Sequence, residues 1–313
     1  MLVQSCSLSR HTTRAAVVAV ALCLSATAFA KPKPPRKLDT SETTAQTFRY
    51  KYKAAQARDF GLNMTQELSM EQGAAMPAVN TTSTVKAVMN VKTQQVLPNG
   101  MATIETSYKD FDLSVTNNGV EMGKAQLKNF ESLLKGIRST SKMNPRGVSQ
   151  DFQYEGIDPS MKQMTDSMKS VTKGLTPVFP EKALKIGENW KDVDTITVSQ
   201  GPIKLSLKFT ITYTFLGHTQ LKKRRVAVFK SDINMTVNDT SNSAGTTIKV
   251  KGRGAGVGYL YFDNKAGALI KSELEMDQTT HMTVEGANAP AGGAQSMKMS
   301  QKTATTMELK DTP

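Results

Sequence analysis

The sequence predicts a mainly β protein: a long, curved antiparallel sheet or half-barrel, built from two similar halves and accompanied by two amphipathic helices. Three observations predict it. Apolar and polar residues alternate with period two along most of the chain, the mark of strands with one dry and one wet face. The alternation changes phase within two of the segments, as a β-bulge would require. The same layout then recurs further along the chain.

The first thirty residues read as an export signal. Arg10 and Arg14 form a positive region, Ala15 to Leu24 an apolar run, and Ala28-Phe29-Ala30 a small-x-small cleavage pattern. The run is too short to span a bilayer, which takes roughly 20 apolar residues. Cleavage after Ala30 is expected, with a periplasmic or extracellular destination in the cell envelope. Both cysteines, Cys6 and Cys23, fall within this signal. The exported chain would then carry neither disulfides nor a thiol nucleophile. Residues 31–46 read as a Pro- and Lys-rich tether.

The N-terminal β half is expected over 47–158. Val85, Ala87, Met89 and Val91 alternate, Pro98-Asn99-Gly100 turns, and Ile104 and Tyr108 give way to Phe111, Leu113 and Val115 in the opposite phase. The C-terminal half, 159–313, repeats this. Leu205, Leu207, Phe209, Ile211, Tyr213 and Phe215 lie on one side of a strand of roughly 36 Å. Beyond it, Val226 and Val228 change phase to Ile233, Met235 and Val237. Laying residues 85–115 over 207–237 without a gap superposes both turns and both phase changes. Whether the halves form one continuous sheet or two facing ones stays open.

The two helices are expected over Lys124–Gly136 and Pro159–Gly174. Asp158 suits the N-cap of the second, Pro159 its first turn and Gly174 its end. Met161, Met164, Met168 and Val171 then form one stripe. A methionine-lined surface adapts to ligands of variable shape. These four residues, with Leu207, Phe209, Ile211 and Tyr213 of the strand, are the candidate ligand-binding set. A lipid or other amphipathic molecule in the concave face is the ligand class they fit.

Enzyme chemistry is not expected. With 2 Cys, 3 His and 1 Trp, the chain offers no zinc or haem constellation. No metal and no cofactor is expected. No Gly-x-Ser-x-Gly elbow occurs. Gly252, Gly254, Gly256 and Gly258 are followed by strand-like Tyr259-Leu260-Tyr261, not by a helix, so they suit a sharp bend in a strand rather than a phosphate loop. His218 abuts Gly217 and is expected in an exposed turn. Lys plus Arg number 40 against 27 Asp plus Glu, a net charge of +13. That excess suits an anionic envelope surface, or simply solubility. No nucleic-acid motif accompanies it.

Leu175 to Trp190 resembles a segment of uncharacterised exported bacterial β-rich proteins, Pro-x-Lys-x-(apolar)-x-x-Gly-x-x-Trp. Pro180, Lys182, Leu184, Gly187 and Trp190 carry the likeness. The wider layout resembles the half-barrel carriers of lipids or lipoproteins of the LolA and LppX type. That resemblance implies a non-catalytic envelope protein binding an apolar ligand. The alternative is a structural or interaction module of the envelope with a closed core and no ligand.

Overall fold

The computed structural model describes residues 32–72, 77–156, 176–200, 203–243, 245–286 and 295–310. They form one open 12-stranded antiparallel sheet. Its strands are β1 (Ala57–Gln72), β2 (Val79–Val96), β3 (Ala102–Asn117), β4 (Val120–Glu121), β5 (Arg138–Met143), β6 (Ser149–Glu155), β7 (Asn189–Gln200), β8 (Ile203–Leu221), β9 (Arg224–Ser243), β10 (Thr246–Asp263), β11 (Ala268–Gly286) and β12 (Gln295–Leu309). Across the sheet they run β6-β5-β3-β2-β1-β12-β11-β10-β9-β8-β7, with β4 paired to β3. The first and last strands meet in the middle, Phe60 opposite Leu309 and Gln72 opposite Met297. The two sequence halves are therefore one sheet, not two facing ones, and β6 and β7 are its edges.

One helix, α1 (Lys124–Gly136), packs Leu127 on Leu113 and Val115 of β3. The second expected helix, Pro159–Gly174, lies outside the described residues.

The gap-free repeat does not hold. Both segments are long hairpins, but Val85 faces Leu113 whereas Met235, the counterpart of Leu113, faces Phe209 rather than Leu207. The turns differ as well: β2 and β3 are joined by 97–101, β8 and β9 by Lys222 and Lys223 alone. In β3 the phase change is a bulge at Asp110, whose φ is 46°. In β9 it is not a bulge, since the register with β10 is unbroken from Thr246–Ser243 to Phe262–Ala227. Val226 and Val228 are buried because a second, smaller cluster forms on the outer face with Tyr259, Tyr261, Ala268 and Ile270. Burial on both faces mimics a phase shift in the sequence. The bulge of this hairpin sits instead in β8, between Phe215 and Gly217.

The glycine run does form strand, inside β10. Register puts Gly258, Gly256, Gly254 and Gly252 on the face shared with Phe229, Ile233, Met235 and Val237. A Cβ at Gly256 would stand 2.7 Å from the Glu275 carbonyl oxygen, and one at Gly258 2.6 Å from that of Glu273. Bare positions on one face let the neighbouring strand fold inwards, which is how glycine bends a sheet.

The stretch expected as a tether is docked. Asp39 pairs with His218 on β8 and Gln46 with Leu184. Phe48 follows, 1 % exposed, at the centre of the main core. Its ring lies 5.0 Å from that of Phe215, 4.9 Å from Phe229 and 5.7 Å from Phe179. Replacing Phe48 with alanine is expected to cost about 3–5 kcal/mol, read as a fall in the urea midpoint without a change in slope. Gly256→Val is expected to cost about 1–3 kcal/mol by overpacking. Gly136→Ala, where nothing stands within 4 Å of the new Cβ, should change the same measurement far less.

Candidate functional site

Cross-strand register assigns every inward side chain, because directly opposed residues share a face. The inner face has three zones along the strands. The first lies at the end where β1, β7 and β10 meet the N-terminal segment. It is filled by aromatics: Phe48, Phe179, Trp190, Tyr213, Phe215, Phe229 and Phe262 belong to one buried cluster. Residues 177–184 cross this end as a strap. Arg146, in the β5–β6 turn, donates through Nε to the Phe179 carbonyl (2.8 Å) and pairs through Nη1 with Glu181 (2.7 Å). Arg49 donates to the carbonyls of Pro180 (2.8 Å) and Glu181 (2.9 Å). From the other edge, Trp190 donates through Nε1 to the Val178 carbonyl at 2.8 Å.

The second zone is a polar belt. Gln66 faces Thr303, and Leu68 faces Gln301, which in turn faces Gln278. The Gln278 amide donates to Gln301, whose own amide donates to Thr303 Oγ1 at 3.2 Å. Gln66 and Gln301 are buried. Side chains that can both donate and accept satisfy each other here, so the belt can be dry without a buried charge.

The third zone is rich in methionine. Met299 faces Met70, and Met297 faces Met282. Met282, Met297 and Met299 are half-buried, Met70 buried. Val237 and Val250 continue the apolar surface on β9 and β10. The outward positions of the same strands are different in kind. Lys208, Lys249, Lys251, Arg253, Asp277 and Lys302 are all exposed.

The structure divides the candidate set. Tyr213 stacks on Trp190 with centroids 4.9 Å apart and is 1 % exposed. Ile211 is buried in the same cluster. Both are spent on the protein's own core. Phe209, between Asp194 and Met235, is partly buried against that cluster. Leu207, opposite Ile196, is half-buried nearer the third zone. Met161, Met164, Met168 and Val171 lie outside the described residues. Sequence reasoning missed Phe48 and Phe179, which lie in no strand; Phe48-x-Tyr50-x-Tyr52 was the available signal. It also missed the sheet methionines, which are dispersed in sequence and meet only through pairing.

His218 is not an exposed turn residue. It lies in β8 beside the bulge, 3 % exposed, edge-on to Phe215 at 5.5 Å. Its Nδ1 has no hydrogen-bond partner among the described residues. The neighbouring Gly217 has φ 127°, and a Cβ there would meet the Asp39 carbonyl oxygen at 2.6 Å. The N-terminal segment therefore runs directly over this position. Burial holds the imidazole pKa below its usual 6.5, and Arg225 adds to this, against Asp39 and Glu42. On Asp39, hydrogen bonds from Ser41 and Arg225 hold the carboxyl at about 2. Among the described residues no three His, Cys, Asp or Glu side chains are grouped to hold a metal ion.

Residues 62–269 match the model of a family of unknown function (DUF6263). The chain belongs to that family. The matched span begins in β1 and ends at the start of β11, so it covers most of the sheet but not the strap's partner Phe48 or strand β12. No match was found among curated proteins. Two solved structures of Pseudomonas aeruginosa proteins align over 82 % of the chain: OpdQ, at 6 % identity with 100 % of its own chain covered and a TM-score of 0.18, and OccK5 (OpdH), at 6 % identity with 98 % covered and a TM-score of 0.16. Likeness at that level carries no argument about this fold.

A lowered histidine pKa has a definite sign. The unfolded chain takes up the proton first, so the stability that neutral His218 contributes is present above about pH 6.5 and is lost as pH falls through the lower, folded value. Unfolding free energy is expected to drop between pH 7 and pH 5. His218→Phe should abolish that part of the slope, as measured by urea titration at each pH.

Proposed function

We propose that this is an exported, non-catalytic protein of the cell envelope that binds an apolar or amphipathic molecule, lipid-like in character, on the outer two-thirds of its concave face. One observation carries the reading. Beyond the aromatic plug the inner face stays apolar but only half-buried, as Leu207, Met282, Met297 and Met299 are. A belt of glutamines and threonine crosses between plug and methionines. Such a surface suits a chain with a polar group part-way along it: flexible thioethers for the apolar part, amides for the polar one.

The charged exterior supports a water-facing rather than a lipid-facing sheet. A strand barrel in a bilayer puts its apolar residues outside and polar ones within, and here the order is reversed. The signal-like first thirty residues, with cleavage after Ala30, support export. The excess of lysine supports a location beside anionic envelope polymers or headgroups.

The runner-up, a structural or interaction module with a closed core, is favoured by the plug itself, since Ile211 and Tyr213 are already buried by protein. The two readings differ over the third zone. Protein purified from its host, extracted with organic solvent and analysed by mass spectrometry should yield a stoichiometric lipid. A fluorescent fatty-acid probe should bind the delipidated protein, and Met282→Lys should weaken it at least about tenfold, the effect of about 1.4 kcal/mol. A clean extract together with no saturable probe binding would leave the closed module.

A further inference from the structure

Four methionines from three adjacent strands form one contiguous group on the inner face. Met299 of β12 stands opposite Met70 of β1. Two positions along β12 on the same face, Met297 stands opposite Met282 of β11. Opposed residues have Cβ atoms roughly 4.5–5.5 Å apart, and same-face neighbours along a strand follow the two-residue repeat. The long, unbranched thioether side chains can therefore bring their sulfurs together. We infer that Met70, Met282, Met297 and Met299 form a thioether site for a soft monovalent cation of the Cu(I) or Ag(I) class.

Three further observations point the same way. At the plug end methionine is the minority, Met89 and Met307 standing among Phe, Leu, Ile and Trp side chains that specify shape better. Burial of apolar surface alone does not explain why thioethers replace them in one patch. Next, the sulfur of Met70 already accepts a bond from the Gln72 amide at 3.6 Å, so a lone pair there is directed by its surroundings. Finally, the ligand type is selective. Thioethers are soft donors that favour Cu(I), and the described residues offer no carboxylate or histidine cluster that would draw a hard or borderline ion to the face instead. The only cysteines, Cys6 and Cys23, fall in the export-signal segment. Neutral ligands on a face with few charges hold a monovalent ion at a lower desolvation cost than a divalent one.

The inference does not rest on the lipid reading and fails separately from it. The test uses the full-length protein with both cysteines removed (Cys6→Ser/Cys23→Ser), so that no thiolate competes for the probe, and Ag(I) as an air-stable probe, followed by Cu(I) in competition with a chromogenic Cu(I) chelator. A saturable site with one ion per chain is expected. In protein labelled at the methionine methyl carbon, the resonances of Met70, Met282, Met297 and Met299 should shift together on adding Ag(I), while those of Met89 and Met235, inside the plug cluster and β9, stay in place. Met299→Leu should weaken affinity about tenfold or more through loss of one ligand, and Met282→Leu/Met297→Leu/Met299→Leu should abolish the site. Circular dichroism and the urea midpoint establish that each variant folds; should the triple variant not fold, the methyl shifts of the parent protein decide. Non-saturable uptake, shifts spread over all the methionines, or affinity unchanged by Met299→Leu overturns the site.

Discussion

An open sheet with one apolar face has two liabilities, the face and the edges, and one short strap answers both at one end of this molecule. Residues 177–184 lie across the concave side between the β5–β6 turn and the start of β7, which belong to opposite edges. Phe179 exchanges bonds with Arg146 on one side, through its own N–H and its carbonyl. On the other, Trp190 donates to Val178. The side chain of Phe179, fully buried, drops into the core between them. The curvature of the sheet is what brings two edges within reach of a single strap. That curvature is permitted where Gly252 to Gly258 remove the side chains that would otherwise meet the backbone of β11. Without the bend, the strap could not span; without the strap, the bend would leave an aromatic face in water.

The N-terminal segment makes this closure cooperative. It pairs with β8 at Asp39, pairs with the strap at Gln46, and delivers Phe48 into the core. The next residues pin two more turns, Tyr50 to Pro145 and Lys51 to Gly267. Segments distant in sequence are thus tied at one point. Burying a phenylalanine contributes about 1.5–3 kcal/mol from area alone, and edge-to-face ring pairs add about 0.5–1.5 kcal/mol each. These gains offset the closure entropy of loops that span most of the chain, since β1 cannot pair with β12 until nearly everything between has been made. Such non-local pairing belongs to the slow, millisecond-to-second class of folding.

What the sequence disclosed and what it hid follow from the range of the interactions. Strand character, the Pro98–Gly100 turn, the bulge in β3, the bend at the glycines and the helix at Lys124–Gly136 are local, and their residue patterns state them. The order of strands is not local. Nothing in residues 57–72 or 295–309 announces that they are partners. The apparent phase change in β9 misled because alternation reports only that one face is wet, and at Val226 to Phe229 neither face is. His218 was misplaced for a related reason: Gly217 reads as a turn, whereas its φ serves a bulge that another segment passes over. Of the candidate ligand residues, Tyr213 and Ile211 were correctly read as inward-facing. Inward-facing is not the same as available, and the plug that occupies them lies in segments without any periodicity to betray them.

The remaining constraint is the rest of the inner face, which the plug does not reach. Strands of 15 to 20 residues, such as β9 and β12, are longer than the core they enclose requires, since the aromatic cluster occupies only a few rungs at one end of each. A sheet that served only to carry the plug could end at the polar belt. Its continuation beyond Gln301 adds strand surface that must be kept from aggregating, and the exterior is charged accordingly, with Lys251, Arg253 and Asp277 on the outward side. The inward side of the same rungs has Asp239 on β9, opposite Val250, but is not filled with aromatics. It is lined with methionine, the residue least committed to one packing partner. An extension of this kind, protected outside and adaptable inside, is shaped for something other than the sheet's own stability. That is why the methionine zone, rather than the better-packed plug, is where function is to be sought.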